Sequence, residues 1–321
     1  MPFFSIVMPA FRVEETLRKA IESVRKQTYA DFELIIVDDC SPDKSGEIAE
    51  EVSKVDKRIK VIRNKNNKGP AESRNIGLLQ SRGEVVGFLD SDDYLPENTL
   101  KEVHKHLENG VDAVILSYFR IEKGNTFPVI LPRCSGSEVK ELLCADEIQS
   151  FPWNKYIRRN KVPVDLFPKG KKFEDFFAFP ELFWKFKEIR VLQKPLYFYN
   201  CVNDNSITKN MDSLSYFDLW SAFKKNEEIL ERKGNNQRLL MLTRDKTFFS
   251  LSRCLCLDSV DGRLNGEQRK EIRSYLLKSL LQRSIKGKKR KALTILALLK
   301  LNNLIRFYVI KKGLEQKFKK Y

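Results

Sequence analysis

The stretch Val85-Val-Gly-Phe-Leu-Asp-Ser-Asp-Asp93 places five apolar residues directly before an acidic tetrad. A short apolar run of this kind, bounded by polar residues, is typical of a strand that is covered on both faces, as in a parallel sheet. Neighbouring carboxylates repel one another unless a cation or hydrogen-bond donors compensate their charge. The pattern therefore predicts a buried strand followed by a site for a hard divalent ion, Mg²⁺ or Mn²⁺, whose remaining ligands are phosphate oxygens. The alternative interpretation is a solvated acidic turn that caps a helix beginning near Pro96.

Three further apolar runs alternate with helical patterns before this stretch. The predicted strands are Phe4 to Met8, Phe32 to Val37 and Lys60 to Arg63, and the predicted helices include residues 14–27 and one that begins at Pro70. This alternation predicts an α/β fold with a mostly parallel sheet flanked by helices. Ligands of such open sheets bind beyond the carboxyl ends of the strands. We therefore expect Pro9, Asp39 and the acidic tetrad to face one cleft.

The rest of the chain departs from this alternation. Residues 111–121 and 128–131 are further predicted strands, and helical patterns dominate after Tyr216. The change of pattern predicts a domain boundary in the region of residues 203–213. The two predicted parts are an α/β domain, residues 1–210, and a helical region with a basic amphipathic tail, residues 211–321.

Most of the positive charge lies near the carboxyl terminus. The formal net charge is +16, and residues 280–321 contain thirteen Lys or Arg against the single acid Glu315. Within that segment residues 292–310 place leucines near helical spacing, interrupted by polar residues that make the segment too polar to span a bilayer. A basic amphipathic helix of this type predicts peripheral contact with an anionic membrane surface. The alternative is a helix that packs on the domain and exposes a solvated basic face.

The cysteines and the amino terminus indicate a cytoplasmic protein. The six cysteines form no CxxC pair and the two histidines allow no zinc-site spacing, so we expect reduced thiols. The chain enters an apolar strand at Phe3, without the basic region and cleavage site of a secretory signal. Together with the basic tail, this predicts a peripheral protein at the inner face of the cell membrane.

Four motifs follow one another along the first ninety-three residues. They are Ser5-Ile-Val-Met-Pro-Ala-Phe-Arg, Leu34-Ile-Ile-Val-Asp-Asp-Cys-Ser, Gly69-Pro-Ala-Glu-Ser-Arg-Asn and Phe88-Leu-Asp-Ser-Asp-Asp. In this order and at this spacing they resemble the family 2 glycosyltransferases with the GT-A fold, a group of inverting enzymes that use nucleotide-sugars. The similarity covers roughly residues 3–210 and continues through Pro152-Trp-Asn-Lys-Tyr, Phe173-Glu-Asp-Phe and Pro195-Leu-Tyr-Phe-Tyr. The resemblance implies a Rossmann-like domain that binds a UDP-sugar and a divalent ion.

The resemblance also implies a nucleotide site on the first strands. Asp39 would accept a hydrogen bond from the uracil base, which would lie against Pro9, Ala10 and Phe11. Stacking on Phe11 needs only its ring face, although the ring could instead be a core aromatic. Arg74 would contact the nucleotide or its phosphates, or would alternatively be a solvated helix residue. The full implied set is Pro9, Ala10, Phe11, Glu14, Asp38, Asp39, Arg74 and Asp90.

The same resemblance implies the metal ligand and the catalytic base. Asp92 would bind the ion, with Asp90 reaching the ion or the ribose, and the ion would stabilise the charge on the departing nucleoside diphosphate. Asp175 would take the proton from the acceptor hydroxyl, and Glu174 would orient Asp175 or perturb its pKa. Direct attack assisted by one base implies inversion at the anomeric carbon. The alternative is that Glu174 and Asp175 only stabilise the first turn of a helix.

Four more residues are implied contacts for the sugar or the acceptor. They are Asp93, Trp153, Asn154 and Lys155. The indole of Trp153 could instead belong to the core.

The sequence thus predicts an inverting, metal-dependent glycosyltransferase that adds a hexose from a UDP-sugar to a lipid-linked or polysaccharide acceptor. Sugar-nucleotide pyrophosphorylases and dehydrogenases are disfavoured, because Pro9-Ala-Phe-Arg-Val-Glu contains no glycine-rich phosphate loop. The alternative is a protein that binds nucleic acid or an anionic surface on an inactive scaffold of the same fold. Since the basic tail has few aromatic residues for base stacking, we expect no nucleic-acid partner.

Overall fold

The computed structural model describes residues 1–107, 110–201 and 211–281. Two compact units make up the chain: Met1–Asp204 with Lys233–Asn236, and Asn205–Arg232 with Gln237–Tyr321. The basic tail from residue 282 onwards lies outside the described residues, and so does most of the predicted domain boundary. Both stay predictions.

The first unit is built on one sheet, which has eight strands among the described residues. The strands are β1 (Phe4–Ala10), β2 (Phe32–Asp38), β3 (Ile59–Arg63), β4 (Val85–Phe88), β5 (Ala113–Glu122), β6 (Asn125–Val129), β7 (Lys155–Arg158) and β8 (Ile189–Asn200). Their order is β3-β2-β1-β4-β7-β5-β6, and β8 pairs with β5. β1 to β4 are mutually parallel, whereas β7 is antiparallel to both β4 and β5. The predicted α/β fold with a mostly parallel sheet is confirmed.

Nine α-helices occur in the described part of the chain. They are α1 (Leu17–Arg25), α2 (Ser45–Val55), α3 (Pro70–Gln80), α4 (Thr99–His106), α5 (Ser137–Cys144), α6 (Glu174–Phe183), α7 (Ser213–Lys233), α8 (Gln237–Asp261) and α9 (Gly266–Leu281). α1 starts at Leu17 rather than at the predicted Glu14, because Val13 to Thr16 form a turn in which the Val13 carbonyl accepts the Thr16 and Leu17 amides. The predicted helical character of the C-terminal region is confirmed over residues 213–281.

The central strands carry the core on both of their faces. All seven residues of β2 are buried. Along β1 the side chains alternate, so that Ile6 and Met8 join one apolar cluster while Val7 joins another. Gly87 in β4 leaves room for a neighbour, since a Cβ there would lie 2.6 Å from the ring of Tyr156. Burial on both faces explains why these strands are apolar runs rather than alternating patterns.

Three features of the sheet differ from the sequence prediction. β8 was not predicted as a strand, although part of it, Pro195-Leu-Tyr-Phe-Tyr, was quoted as a motif. β7 inserts between β4 and β5, and its four residues, Lys-Tyr-Ile-Arg, carry too short a pattern to be recognised. β6 begins at Asn125 instead of residue 128. The reason is the two-residue turn of Lys123 and Gly124, whose φ angles of 48° and 80° suit a tight hairpin and pair Glu122 with Asn125.

The second unit is helical and has its own apolar core. Phe217, Trp220, Leu251 and Cys254 pack together with residues of α9. No helix in the described ranges is both long and apolar enough to cross a membrane.

Candidate active site

The acidic tetrad lies where the parallel strands end. β4 finishes at Phe88, and the Leu89 amide donates to the Val7 carbonyl of β1, which extends the pairing up to the tetrad. On the neighbouring strands the Asp39 amide donates to the Ala10 carbonyl. The hydroxyl of Thr16 donates to the Ser91 carbonyl at 3.0 Å and ties the tetrad to the start of α1. The sheet therefore brings the predicted nucleotide and metal residues to one edge.

Arg74 on α3 joins two parts of the site that are far apart in sequence. Its Nη2 donates to Asp90 Oδ1 at 2.9 Å, and its Nη1 donates to Glu174 Oε1 at 2.6 Å. The Arg74 side chain is 8% exposed. Burial acts to lower the pKa of Arg74, but the charges of Asp90 and Glu174 outweigh burial and raise that pKa above its ordinary value. Arg74 is thus a buried, charged link between the acidic tetrad and α6, and not a solvated helix residue.

Asp175 lies in the first turn of α6, next to this link. Phe173 precedes the helix in a left-handed conformation with φ of 60°, and Asp175 Oδ1 accepts the Phe176 amide at 2.7 Å. Burial, followed by the charge of Glu174, raises the pKa of Asp175 to about 7, although Arg74 and the Phe176 amide act in the opposite direction. A carboxylate whose pKa lies near neutrality is well suited to accept a proton at physiological pH. A carboxylate that only stabilises the first turn of a helix does so in its charged form. The raised pKa of Asp175 disfavours that form, so stabilising the helix is not its only role.

Asp39 organises the loop between β3 and α3. Its Oδ1 accepts hydrogen bonds from Asn64 Nδ2 at 2.7 Å and from the Lys68 amide at 2.9 Å, and its Oδ2 accepts the Gly69 amide at 2.7 Å. Asn64 was not among the predicted site residues, although a polar residue directly after a predicted strand was a usable signal. The adjacent Asp38 is fully buried, where it accepts the Ser41 amide and pairs with Arg63. Asp38 therefore binds the segment after β2 and the end of β3, and its side chain is not accessible to a nucleotide.

The predicted wall for the base lies at the end of β1. Ala10 is buried, Pro9 is partly buried, and the ring of Phe11 is 39% exposed. The ring of Phe11 is thus not a core aromatic, and the guanidinium of Arg12 lies 5.1 Å from its centroid. Glu14 is exposed and its Oε2 accepts the Lys44 amide at 2.9 Å, which joins the start of α1 to α2.

Asp93 is held by the protein itself. It is 2% exposed, its Oδ2 accepts the Tyr197 hydroxyl at 2.6 Å, and its Oδ1 accepts the Asn200 amide at 2.7 Å. Burial, together with the charges of Asp92 and Asp90, raises the pKa of Asp93 well above its ordinary value. Asp93 was predicted to contact the sugar or the acceptor, and no role was predicted for Tyr197, although Tyr197 belongs to one of the quoted motifs. The pair instead fastens the acidic tetrad to β8.

The Trp-Asn-Lys segment also lies inside the protein. Trp153 is 2% exposed and stacks on Tyr197 with the ring centroids 4.3 Å apart. Asn154 donates to the Leu116 carbonyl, and Lys155 is fully buried. Side chains at this depth are not accessible to a sugar, so the predicted contacts of Trp153, Asn154 and Lys155 are replaced by packing and hydrogen bonds within the core.

The carboxylates at the end of β4 fit a hard divalent ion. Asp90 and Asp92 are partly exposed and supply only oxygen ligands, which Mg²⁺ and Mn²⁺ prefer. In the described part of the chain, no cluster of three or more Asp, Glu, His or Cys side chains could hold a metal by itself. An ion held by Asp90 and Asp92 would have further coordination positions, for which phosphate oxygens are of the right chemical kind.

Comparison with known proteins agrees with this geometry. Residues 5–164 match the model described as glycosyl transferase family 2. The uncharacterized glycosyltransferase EpsJ of Bacillus subtilis (strain 168) is 31% identical over 225 residues, which are 65% of this chain and 64% of EpsJ. The GalNAc(5)-diNAcBac-PP-undecaprenol beta-1,3-glucosyltransferase of Campylobacter jejuni subsp. jejuni serotype O:2 is 36% identical over 126 residues, which are 39% of this chain and 41% of that enzyme. This chain thus spans less than two thirds of either relative.

A solved structure extends the likeness to the whole fold. Residues 1–349 of Staphylococcus aureus TarS, in complex with UDP-GlcNAc, superpose with a TM-score of 0.69 at 21% identity, covering 99% of this chain and 92% of that one. In sequence, TarS of strain Mu50, a poly(ribitol-phosphate) beta-N-acetylglucosaminyltransferase, is 31% identical over 139 residues, which are 42% of this chain and 24% of TarS. Residues 5–164 therefore belong to glycosyl transferase family 2, and the chain has the GT-A fold.

Proposed function

We propose that this protein transfers a hexose from a UDP-sugar to a hydroxyl group of a lipid-linked or polysaccharide acceptor, with a divalent metal ion and with inversion at the anomeric carbon. The observation that carries the proposal is the double ion pair of Arg74, which joins Asp90 of the acidic tetrad to Glu174 beside Asp175. This link holds the residues for leaving-group departure close to those for acceptor activation.

The residues that would bind the UDP-sugar donor lie at the carboxyl ends of the parallel strands. Asp90 and Asp92 would hold the metal ion, which when bound supplies positive charge for the departing diphosphate. The exposed ring of Phe11 offers a face for the uracil, and Asp39 orders the loop after β3. Arg74 carries a permanent positive charge and donates a hydrogen bond to Asp90.

The residues that would activate the acceptor lie at the start of α6. Asp175, with its pKa of about 7, would accept the hydroxyl proton as the acceptor oxygen attacks the anomeric carbon. Glu174 remains paired with Arg74, and its negative charge helps to keep the pKa of Asp175 high. One base acting on one direct attack inverts the anomeric configuration, so an α-linked donor yields a β-linked product.

The chemistry of the relatives supports the donor and acceptor classes. By their names, the Campylobacter jejuni relative acts on a polyprenyl-diphosphate-linked glycan and TarS acts on poly(ribitol-phosphate), and the TarS structure contains UDP-GlcNAc. Both names specify a β product. These properties belong to the relatives and support the same classes for this chain.

The first test measures donor hydrolysis with Mn²⁺ across a panel of UDP- and GDP-sugars, because slow hydrolysis reports the donor without an acceptor. We expect turnover with a UDP-hexose, its loss in Asp92→Ala, and loss of transfer with intact UDP binding in Asp175→Asn. The exposed Asp31, at the other end of β2, provides a matched control, Asp31→Asn, which should behave like the unaltered protein. Transfer at the normal rate by either site variant, or a retained anomeric configuration by NMR, would contradict the proposal.

We further propose that the basic tail binds the inner face of the cell membrane. The support is its composition, thirteen Lys or Arg and one acid over residues 280–321, since each basic residue near an anionic surface contributes roughly 1 kcal/mol. Flotation with anionic liposomes compares the full chain with a version ending near Arg283. Equal flotation of the two would refute this part.

A further inference from the structure

Lys155 is a buried cation in the motif Pro152-Trp-Asn-Lys-Tyr. Its side chain has no exposed surface, although lysine is almost never fully buried without a partner. The three protons of its ammonium group are all used: Nζ donates at 2.8 Å to the Gln149 carbonyl, to the Phe151 carbonyl and to Asn154 Oδ1. These three acceptors are neutral, so they satisfy the hydrogen-bonding capacity of Lys155 but not its charge.

The ammonium group of Lys155 lies against the helix that carries Asp175. Nζ is 5.2 Å from the ring centroid of Phe179 on α6. Phe179 follows Asp175 by four residues, and residues four apart in a helix lie on the same face, one turn above the other. Lys155 therefore faces the side of α6 on which Asp175 stands.

The two groups influence each other electrostatically. Burial lowers the pKa of Lys155 to about 7, while the charges of Asp175 and Asp146 raise it. For Asp175, burial and Glu174 raise the pKa, whereas Arg74 and Lys155 lower it. The charged groups that act on Asp175 are thus Glu174 from its own helix, Arg74 from α3, and Lys155 from the start of β7.

We propose that Lys155 is a positioning residue for the base: its ammonium group orders residues 149–154 against α6 and supplies the positive charge that favours the ionised form of Asp175. This inference rests on the proposed transferase function, in which Asp175 must be a carboxylate before the acceptor attacks. Because Lys155 is buried, it acts through Asp175 and does not touch the substrate.

The first experiment compares the pH dependence of kcat in the full chain and in Lys155→Met, which keeps an unbranched side chain one atom shorter and removes its charge. We expect the acid limb of the profile, near pH 7 in the unaltered chain, to move upward by roughly one pH unit, because a nearby opposite charge lowers a carboxyl pKa by about that amount and Lys155 acts on Asp175 in this direction. The matched control is Lys161→Met, which removes an ion pair with Asp112 at the other end of the sheet. Lys161→Met should leave the acid limb in place.

A second measurement needs neither activity nor a change at Lys155. In chain labelled with ¹⁵N at lysine Nζ, the titration of Lys155 should shift to lower pH in Asp175→Asn, since the carboxylate that raises its pKa is gone. An unmoved acid limb in Lys155→Met, or an unmoved Nζ titration in Asp175→Asn, would overturn the proposal. If the unaltered chain transfers no sugar with any donor, the proposed function fails, while the Nζ titration still decides whether the two charges interact.

Discussion

Replacing Arg74 with methionine tests whether the link between the acidic tetrad and α6 holds the site together. Arg74 bridges Asp90 at 2.9 Å and Glu174 at 2.6 Å, with side-chain exposures of 8%, 26% and 13% for the arginine and the two acids. Removing one partner of a buried ion pair costs about 3–5 kcal/mol, because the remaining charge is left uncompensated. Since Asp90 is a quarter exposed and water can solvate it, we expect the lower figure, about 3 kcal/mol.

The assay is differential scanning calorimetry of the full chain. A loss of about 3 kcal/mol should lower the Tm of the first unit by roughly 6–12 °C, given about 2–4 °C per kcal/mol for a unit of this size. The matched control is Arg18→Met, which makes the same substitution in a surface pair with Glu51 whose side chains are 52% and 66% exposed. Surface pairs are worth about 0–1 kcal/mol, so this variant should melt close to the unaltered chain. A Tm for Arg74→Met within about 1 °C of the control would refute the reasoning.

Three further predictions concern single side chains. The pKa of Asp175 is raised in the folded protein, so its favourable contribution to stability is complete below about pH 4 and is lost as the pH rises through about 7. Asp175→Asn should therefore raise the Tm at pH 8 by at least about 2 °C. This difference in Tm should vanish near pH 4. Tyr197→Phe should lower the free energy of unfolding in urea by about 1–3 kcal/mol, because Asp93 loses a buried donor. Asp39→Asn should weaken UDP binding by roughly tenfold in calorimetric titration, since an amide cannot accept all three hydrogen bonds from the loop after β3; unchanged affinity would show that this loop does not contribute to the site.

The fold was largely predictable because burial on both faces leaves an uninterrupted apolar run. β2 is all buried and was predicted to within one residue, as was β4. β7 was not predictable, because a four-residue strand with mixed composition has no distinctive period. The start of β6 was predicted at residue 128 instead of Asn125, because the register of this strand depends on the two-residue turn before it and not on its own residues.

The site was only partly predictable, because the type of a residue indicates its chemistry but not which neighbours its side chain will contact. Asp90 and Asp93 belong to one tetrad, yet one pairs with Arg74 and the other is buried against Tyr197. Similarly, Asp38 and Asp39 are adjacent, and only the tertiary contacts assign Asp38 to Arg63 and Asp39 to the loop after β3. Successive residues leaving a strand point to opposite sides, so neighbours with equal chemistry take up different roles.

By itself, the amino-acid sequence determined the strand-and-helix alternation, the acidic ends of the second and fourth strands, and the resemblance to one family of transferases. These properties are local, since periodicity and motif spacing are written along a single stretch of chain. The tertiary structure alone decided that Arg74 joins Asp90 to Glu174, which follows Arg74 by one hundred residues, and that Lys155 is buried beside the helix that begins at Glu174. Such contacts depend on packing between segments that are distant in sequence. The same packing supplies the burial and the neighbouring charges that shift the pKa of Asp175 away from the ordinary value of its residue type.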